Sequence, residues 1–413
     1  MYTNKIVAAL LAAGVMASPL AYATNGDEMM AVGSQSTALG GTGVANFIGA
    51  DSLWANPAML GKSNGTELTG GVNLFKPKVA NTGMGGGAAG DSTADTSYIP
   101  DVSYSSRTSD SLSYGVAMAG IAGMGVDYTG ASPALFLIKS KSTLSILRVV
   151  ADIAYNTDKY GLGFEPIFQY GSLMLSYDST AIGGAPYNAG QNKDSSTGFG
   201  VALGGYYNAT PAVTVAAAYQ SKISAKYGNQ ISAGGNGFGL CSGPGCAGAP
   251  FGDDLDQPAQ MKLGVAFAAS DSVTLTADYK LIQWSAAAGY KDFNWNDQNI
   301  LAVGAKYTAS SYWLGLGYNH ANDPIGVLPD NTYRNAAINV FNNMFFPAIV
   351  TNSYTFGGGY DISRSLAVEG AAVLTPEVTK AVGISSLSGG LGAPTNTTTH
   401  SQHAFEVSLR YKL

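Results

Sequence analysis

After residue 65 the chain alternates, with apolar residues at every second position and small or polar ones between. The clearest runs are Met261, Leu263, Val265, Phe267; Val273, Leu275, Ala277, Tyr279, Leu281; Leu301, Val303, Ala305, Tyr307; and Phe405, Val407, Leu409, Tyr411, Leu413. Each segment has about ten residues, the length a tilted strand needs to cross a bilayer. The pattern predicts fourteen strands, at 66–75, 97–107, 112–121, 144–155, 160–177, 196–207, 212–227, 259–269, 272–284, 298–308, 311–319, 351–360, 365–374 and 403–413. Short turns such as "NTDK" (156–159), "NATP" (208–211), "ASDS" (269–272) and "DISRS" (361–365) alternate with long Gly/Asn/Pro-rich loops at 228–258, 320–350 and 375–402. Short turns on one side and long loops on the other describe a transmembrane barrel.

A soluble sandwich also alternates, so two further features decide. The quoted apolar sets contain no Lys, Arg, Asp or Glu. Facing lipid, a basic residue at the midplane would cost about 2–4 kcal/mol. Tyrosines also bracket the short turns, at Tyr155, Tyr160, Tyr207, Tyr307, Tyr312 and Tyr360. A ring with an apolar body and a polar tip suits the membrane interface, so these form an aromatic girdle. The alternation from Phe405 to Leu413 supplies a last strand to close on the first, because lipid offers no partner for an open edge. The predicted fold is all-β, a fourteen-stranded antiparallel transmembrane barrel.

Composition agrees. Charged residues make up 12% of the 413, and Tyr (24) outnumbers Lys plus Arg (21), where a soluble domain carries about twice that charge. The net charge of −6 gives no basic footprint, so no nucleic-acid partner is expected. Residues 1–23 have one Lys, an apolar core from Ile6 to Met16 and an Ala21-Tyr22-Ala23 ending, which reads as an export signal with the mature chain starting at Thr24. No later stretch is long and apolar enough for a spanning helix. The expected organisation is a signal peptide at 1–23, an N-terminal hatch at 24–65 and a barrel at 66–413, in the outer membrane of a Gram-negative-type envelope and monomeric.

Residues 24–65 do not alternate. They hold a helix-compatible piece around Asp27 to Val32, a flexible Leu39-Gly40-Gly41-Thr42-Gly43 and the sequence Asn56-Pro57-Ala58. Asn56 can cap a one-turn helix that Pro57 opens and Gly61 ends; a simple loop connector would look the same. With both chain ends on the short-turn side, this segment can fold into the lumen as a plug.

At this point the chain resembles the FadL/TodX family of outer-membrane transporters of hydrophobic compounds. The likeness rests on Asn25-Gly26, the run Ala38-Leu39-Gly40-Gly41-Thr42-Gly43-Val44-Ala45, Asp51, Asn56-Pro57-Ala58, Trp284, and Pro347-Ala348-Ile349-Val350 before "SYTFGGGY". It implies a lumenal hatch and a kinked third strand that opens a lateral exit. Gly120, Gly123 and Gly125 are the candidates for that kink, although barrel strands also carry glycine without one. Family members that take fatty acids have long helical outer loops, and 178–195 and 228–258 show no clear amphipathic helix. The apolar run Ala134 to Ile138 and the pair Phe345-Phe346 can dock ligand in their place, or pack against neighbouring loops.

Inward positions carry few charges. Alternation pairs Arg148 with Asp152, places Lys262 near Asp278 and Lys280, puts Lys306 on the next strand, and pairs Glu406 with Arg410. These can be structural salt bridges, while Arg148, Lys262 and Lys280 are also the candidates to hold a ligand carboxylate. Cys241 and Cys246 in "CSGPGC" suit a small loop disulfide in an exported protein rather than a metal site. His320, His400 and His403 have no ligand pattern around them, and no nucleophile elbow or phosphate-binding frame occurs. Neither a metal, a cofactor nor an enzyme activity is expected. The expected function is passive uptake of a hydrophobic small molecule, foremost a long-chain fatty acid, with a monoaromatic hydrocarbon as the alternative. An open porin, a lipid hydrolase and a structural or adhesive barrel are the rivals.

Overall fold

In the computed structural model the described residues are 24–132, 137–178, 188–189, 192–240, 251–387 and 394–413. The expected signal peptide, the stretch Ala134 to Phe136 and both cysteines, Cys241 and Cys246, lie outside them. All fourteen expected strands form: β1 (Thr66–Asn81), β2 (Ser97–Arg107), β3 (Leu112–Asp127), β4 (Lys141–Asn156), β5 (Tyr160–Asp178), β6 (Asp194–Thr210), β7 (Val213–Gln220), β8 (Gln260–Ala268), β9 (Val273–Ile282), β10 (Gln298–Thr308), β11 (Tyr312–Ala321), β12 (Asn352–Asp361), β13 (Leu366–Gly383) and β14 (Thr395–Lys412). Each pairs antiparallel with the next. β14 then pairs with β1, from Thr398 opposite Asn81 to Lys412 opposite Glu67, and the ring closes. No described helix is long and apolar enough to cross a membrane, so the strands are the spanning elements.

The alternation faces the way the sequence predicts. Leu263, Leu316 and Phe405 point outward, at 57%, 66% and 47% exposure, and the six girdle tyrosines are all exposed near the short turns. Many inward positions are glycine, small or polar, and several glycines are there because another chain segment touches them. A Cβ on Gly317 would lie 2.1 Å from the Gly40 nitrogen, and one on Gly264 would lie 2.7 Å from the Val44 side chain.

Several boundaries differ from expectation. β7 ends at Gln220, not 227, because the next residues leave the wall and bridge Ile223 to Gln257 and Lys226 to Asp254. Ile223 and Tyr227 are fully buried, so the alternation continues but its apolar face packs inward. The expected loop 375–402 is mostly strand: β13 runs to Gly383 and β14 starts at Thr395, with a register shift between Thr375 and Val378 around Pro376. These extensions are polar, so they carry no apolar rhythm. β1, β3 and β4 also run beyond the expected bounds.

Residues 24–65 are not built as expected either. Thr24–Asn25 and Glu28–Met29 form a small hairpin turning at Gly26, whose φ is +67°, and α1 (Ser34–Ala38) starts only after Gly33. The predicted helix over Asp27 to Val32 is therefore absent, since Glu28 and Met29 pair as strand with Thr24–Asn25, and Glu28 also with Ala122 of β3. The predicted flexible Leu39 to Gly43 is buried and bonded, with Gly40 pressed on the Tyr318 backbone. α2 (Ser52–Ala55) and a 3₁₀ turn (Pro57–Lys62) complete the segment.

The long loops carry α3 (Ile231–Gly237) and α4 (Tyr333–Phe345), the second capped by Thr332, whose hydroxyl accepts from Asn335 N–H. They fold over one another around Trp284, Tyr290, Phe293, Trp295, Phe238, Phe341 and Phe345. Phe293 stacks on Phe341 with centroids 4.8 Å apart. Phe345 and Phe346 are buried in this cluster, so the docking role considered for them gives way to packing.

The outward face yields the first prediction. Leu316 lies in the middle of β11 opposite Ala305 and faces lipid. Leu316→Arg should destabilise the inserted barrel by about 2–4 kcal/mol, measured as a shift in urea-dependent unfolding from lipid vesicles.

Candidate functional site

Under the N-terminal segment lies a cavity of about 90 Å³ that brings together Arg148 of β4, Lys262 of β8 and Lys280 of β9, the three candidate basic residues. Strand register does this: Lys262 sits directly opposite Lys280, and the curved wall turns β4 toward them. Glu165 of β5, Asp278 of β9 and Glu28 of the N-terminal segment face the same space. Trp54, Ile121, Val150 and Ile300 provide its apolar lining. The cavity therefore combines an apolar wall with three cations and three carboxylates.

Each cation is held differently. Arg148 donates to Gln169 at 3.0 Å and Gln220 at 2.9 Å, while its Nη2 lies 4.0 Å from Glu28 and hydrogen-bonds no described residue. Lys262 donates to the carbonyls of Trp54 and Ala55 at the end of α2, where a positive charge complements the helix dipole. Lys280 makes no hydrogen bond or ion pair among the described residues.

The expected wall-to-wall pairs are mostly replaced. Arg148 does not bond Asp152, whose oxygens find no partner among the described residues. Asp278 accepts from the N–H groups of Gly43 and Val44 at 2.7 and 2.9 Å, and Glu406 accepts from Thr37. Lys306 donates to Gln35 and lies over the Trp313 ring. Arg410 holds Glu369 at 2.9 Å, Glu67, and Asp51 at 3.7 Å. For Asp278, Glu406, Lys306 and the Asp51 contact of Arg410 the reason is the same: the N-terminal segment brings its own donors and acceptors, which the alternation of the wall does not reveal.

Asn56-Pro57-Ala58 is a cap and an anchor. Asn56 is extended, its Oδ1 accepts from Ala58 N–H at 3.0 Å, and its amide donates to Val44 O at 2.8 Å and Gly205 O at 3.3 Å. Gly61 does not end the turn, which runs on to Lys62; it is glycine because a Cβ would meet Asn156 at 2.8 Å. Sequence reasoning missed the seat of this motif, Gly163 of β5 and Gly204 of β6. A Cβ there would lie 2.3 Å from Ala58 N and 1.9 Å from Asn56 Oδ1. The available signal was glycine at inward positions of adjacent strands.

Gly120, Gly123 and Gly125 lie at a break in the wall. β3 shifts register against β4 between Gly120 and Ala122, and its pairing with β2 stops at Asp101 opposite Ala119, although β2 begins at Ser97. Past the break, Ala122 pairs with Glu28, and Gly123 N–H donates to Asp27 O at 2.8 Å. The N-terminal hairpin thus covers the place where β2 and β3 part. Its tip also touches the outer loops. Tyr290 O–H donates to the Asp27 carboxylate, Gln257 donates to it at 3.1 Å, and Trp284 leaves no room for a Cβ on Gly26. Burial pushes the Asp27 carboxyl up to about 7, aided by Glu28 and opposed by the bonds from Tyr290 and Gln257 and by Arg148; Tyr227 is a further neighbour.

Two outcomes follow from this geometry. Asn56→Ala should loosen the turn by about 0.5–2 kcal/mol while the barrel stays heat-modifiable, seen as entry of small polar solutes into liposomes carrying the protein. Asp27 keeps its proton in the folded chain at pH values where the unfolded chain, at 3.8, has lost it. Its contribution is therefore full below 3.8 and is lost as pH rises through about 7. Hydrogen exchange across residues 24–29, corrected for intrinsic rate, should be faster at pH 8 than at pH 5.5, and Asp27→Asn should remove the difference.

Comparison with known proteins supplies the relatives. A crystal structure of a Pseudomonas aeruginosa FadL homologue superposes with a TM-score of 0.69 at 18% identity, covering 94% of this chain and 100% of that one. The P. putida toluene transporter TodX gives 0.69 at 19% identity, covering 93% and 99%. The Ralstonia pickettii toluene transporter TbuX gives 0.63 at 19%, again covering 93% and 99%. These likenesses are of fold. No curated protein matches the sequence. The family model described as outer membrane protein transport protein (OMPP1/FadL/TodX) matches residues 12–338, most of the chain. With its closed fourteen-stranded barrel and no spanning helix among the described residues, the chain belongs to this family of outer-membrane proteins that transport hydrophobic compounds.

Proposed function

We propose that this protein carries long-chain fatty acids passively across the outer membrane as a monomer, with residues 24–65 as its hatch. The observation that carries the reading is the convergence of Arg148, Lys262 and Lys280 on one lumenal cavity with an apolar wall. An acyl chain gains about 0.8 kcal/mol per buried methylene, and a carboxylate gains charge-assisted bonds from the cations. The cavity of about 90 Å³ is too small for a whole acyl chain, so uptake requires the hatch to move. The break between β2 and β3, framed by Gly120, Gly123 and Gly125, is the proposed exit, reached once the hairpin at 24–29 withdraws. Residues 1–23 are proposed to be removed on export, and Cys241 and Cys246 to form a loop disulfide.

A second reading, uptake of monoaromatic hydrocarbons, is favoured by the two toluene transporters among the similar structures and needs no cation. Uptake of labelled oleate and toluene by cells lacking and regaining the protein separates the two. The fatty-acid reading expects oleate uptake to depend on the protein. It also expects Arg148→Gln with Lys262→Gln and Lys280→Gln to lower that uptake at least about tenfold, from a loss of about 1.5–3 kcal/mol per bond to a charge, with toluene unaffected. Toluene uptake that depends on the protein while oleate uptake does not would establish the second reading. Loss of neither would leave a structural or adhesive barrel.

A further inference from the structure

Of the acidic groups in the cavity, Glu165 and Asp278 belong to the wall, and Glu28 is brought in by the N-terminal hairpin. The Glu28 side chain is buried. Both of its oxygens accept from Gln260 Nε2, at 2.6 and 2.5 Å, and one lies 4.0 Å from the unbonded Nη2 of Arg148. Lys280, with no partner of its own among the described residues, faces the same space. The wall alone would present three cations and two carboxylates, and Glu28 supplies the missing negative charge. A second carboxylate could not share so small a space with it, because like charges at close range each disfavour the other's ionised form.

We propose that Glu28 is a built-in substitute for the ligand's carboxylate, holding the anion seat at Gln260, Arg148 and Lys280 until a carboxylate-bearing ligand displaces it. The inference rests on the reading of this cavity as a head-group site. Glu28 pairs through its backbone with Ala122, and the neighbouring Asp27 carbonyl accepts from Gly123, so the seat and the cover of the β3 break are one element. An anion that takes the seat removes the hairpin's side-chain hold at Glu28 and so weakens its place on β3, leaving the bonds of Asp27 and the backbone. A neutral hydrocarbon has no charge with which to compete, and leaves Glu28 in place. A ligand shifts such an equilibrium only by its difference in affinity for the two states, and here the carboxylate provides that difference.

The test uses full-length protein in detergent, with oleate as the anionic probe and toluene as the neutral one. Glu28→Gln keeps the side chain's shape and removes its charge. It should tighten equilibrium binding of oleate by at least about fivefold, the low end of coupling between linked sites, and leave toluene binding unchanged. In the wild-type protein oleate should speed hydrogen exchange at residues 26–29 and 122–123, and toluene should not. Oleate binding that is unchanged or weaker in Glu28→Gln overturns the proposal, as does oleate binding to wild type with no change in exchange. If Glu28→Gln does not give a heat-modifiable barrel, the wild-type exchange measurement decides alone. Oleate that binds neither protein overturns this inference and the head-group reading together. Equal binding to both that falls on Lys280→Gln leaves the head-group reading standing and removes Glu28 from it.

Discussion

Lipid cannot hydrogen-bond a peptide group, so a sheet that enters a bilayer must leave no edge. Here β14 answers that constraint by pairing with β1 along most of its length. Much else follows from closure. A ring of fourteen strands encloses more space than its own side chains fill, particularly when many inward positions are glycine or serine. That space has to be occupied by chain, ligand or water, and residues 24–65 occupy much of it. Several charges on the inner face then acquire partners from this segment as well as from neighbouring strands, as Asp278 does from Gly43 and Val44.

The two faces of the wall therefore obey different chemistry. The outer face needs only to be apolar, and its alternation can be read residue by residue. The inner face is matched to a particular segment at van der Waals distance. Gly163 and Gly204 are floor for Asn56 and Ala58, Gly317 makes room for Gly40, and Arg410 gathers carboxylates from the start of α2 and from two strands. This matching is incomplete in two places, on which the proposed function rests. One is the cavity at Arg148 and Lys280, where a guanidinium nitrogen and an ammonium bond no described residue; the parting of β2 and β3 is the other.

This division explains what was legible in the sequence. The fourteen strands, their outward sets, the girdle tyrosines and the closing strand were all readable, because period-2 alternation against lipid is a local signal. So was the set Arg148, Lys262 and Lys280, because parity puts each on the inner face. The polar extensions of β13 and β14 were not legible, since strands outside the bilayer have no apolar face to announce them. The turn from Ile223 to Tyr227 kept its alternation and was read as wall, although it packs on Gly198 and Gly200 instead. The expected pairing of Arg410 with Glu406 failed for a similar reason. Neighbours along a strand are visible in the sequence, but Asp51 reaches Arg410 from more than three hundred residues away.

That distance bears on the order in which the molecule can be assembled. Thr24 bonds Gln402, Ser34 bonds Ser408, Thr37 bonds Glu406, and Asp51 pairs with Arg410. Residues 24–51 are thus fastened by β14, the barrel strand farthest from them in sequence. Contacts so far apart in sequence form late, because the loop between them must be closed before they repay it. Until β14 arrives, the N-terminal segment lacks these four holds, and the strand that seals the wall against lipid is the same one that locks its contents. Closure by β14 thus adds four long-range holds to a segment that β9, β6 and β11 already grip through Asp278, Gly205 and Asn319.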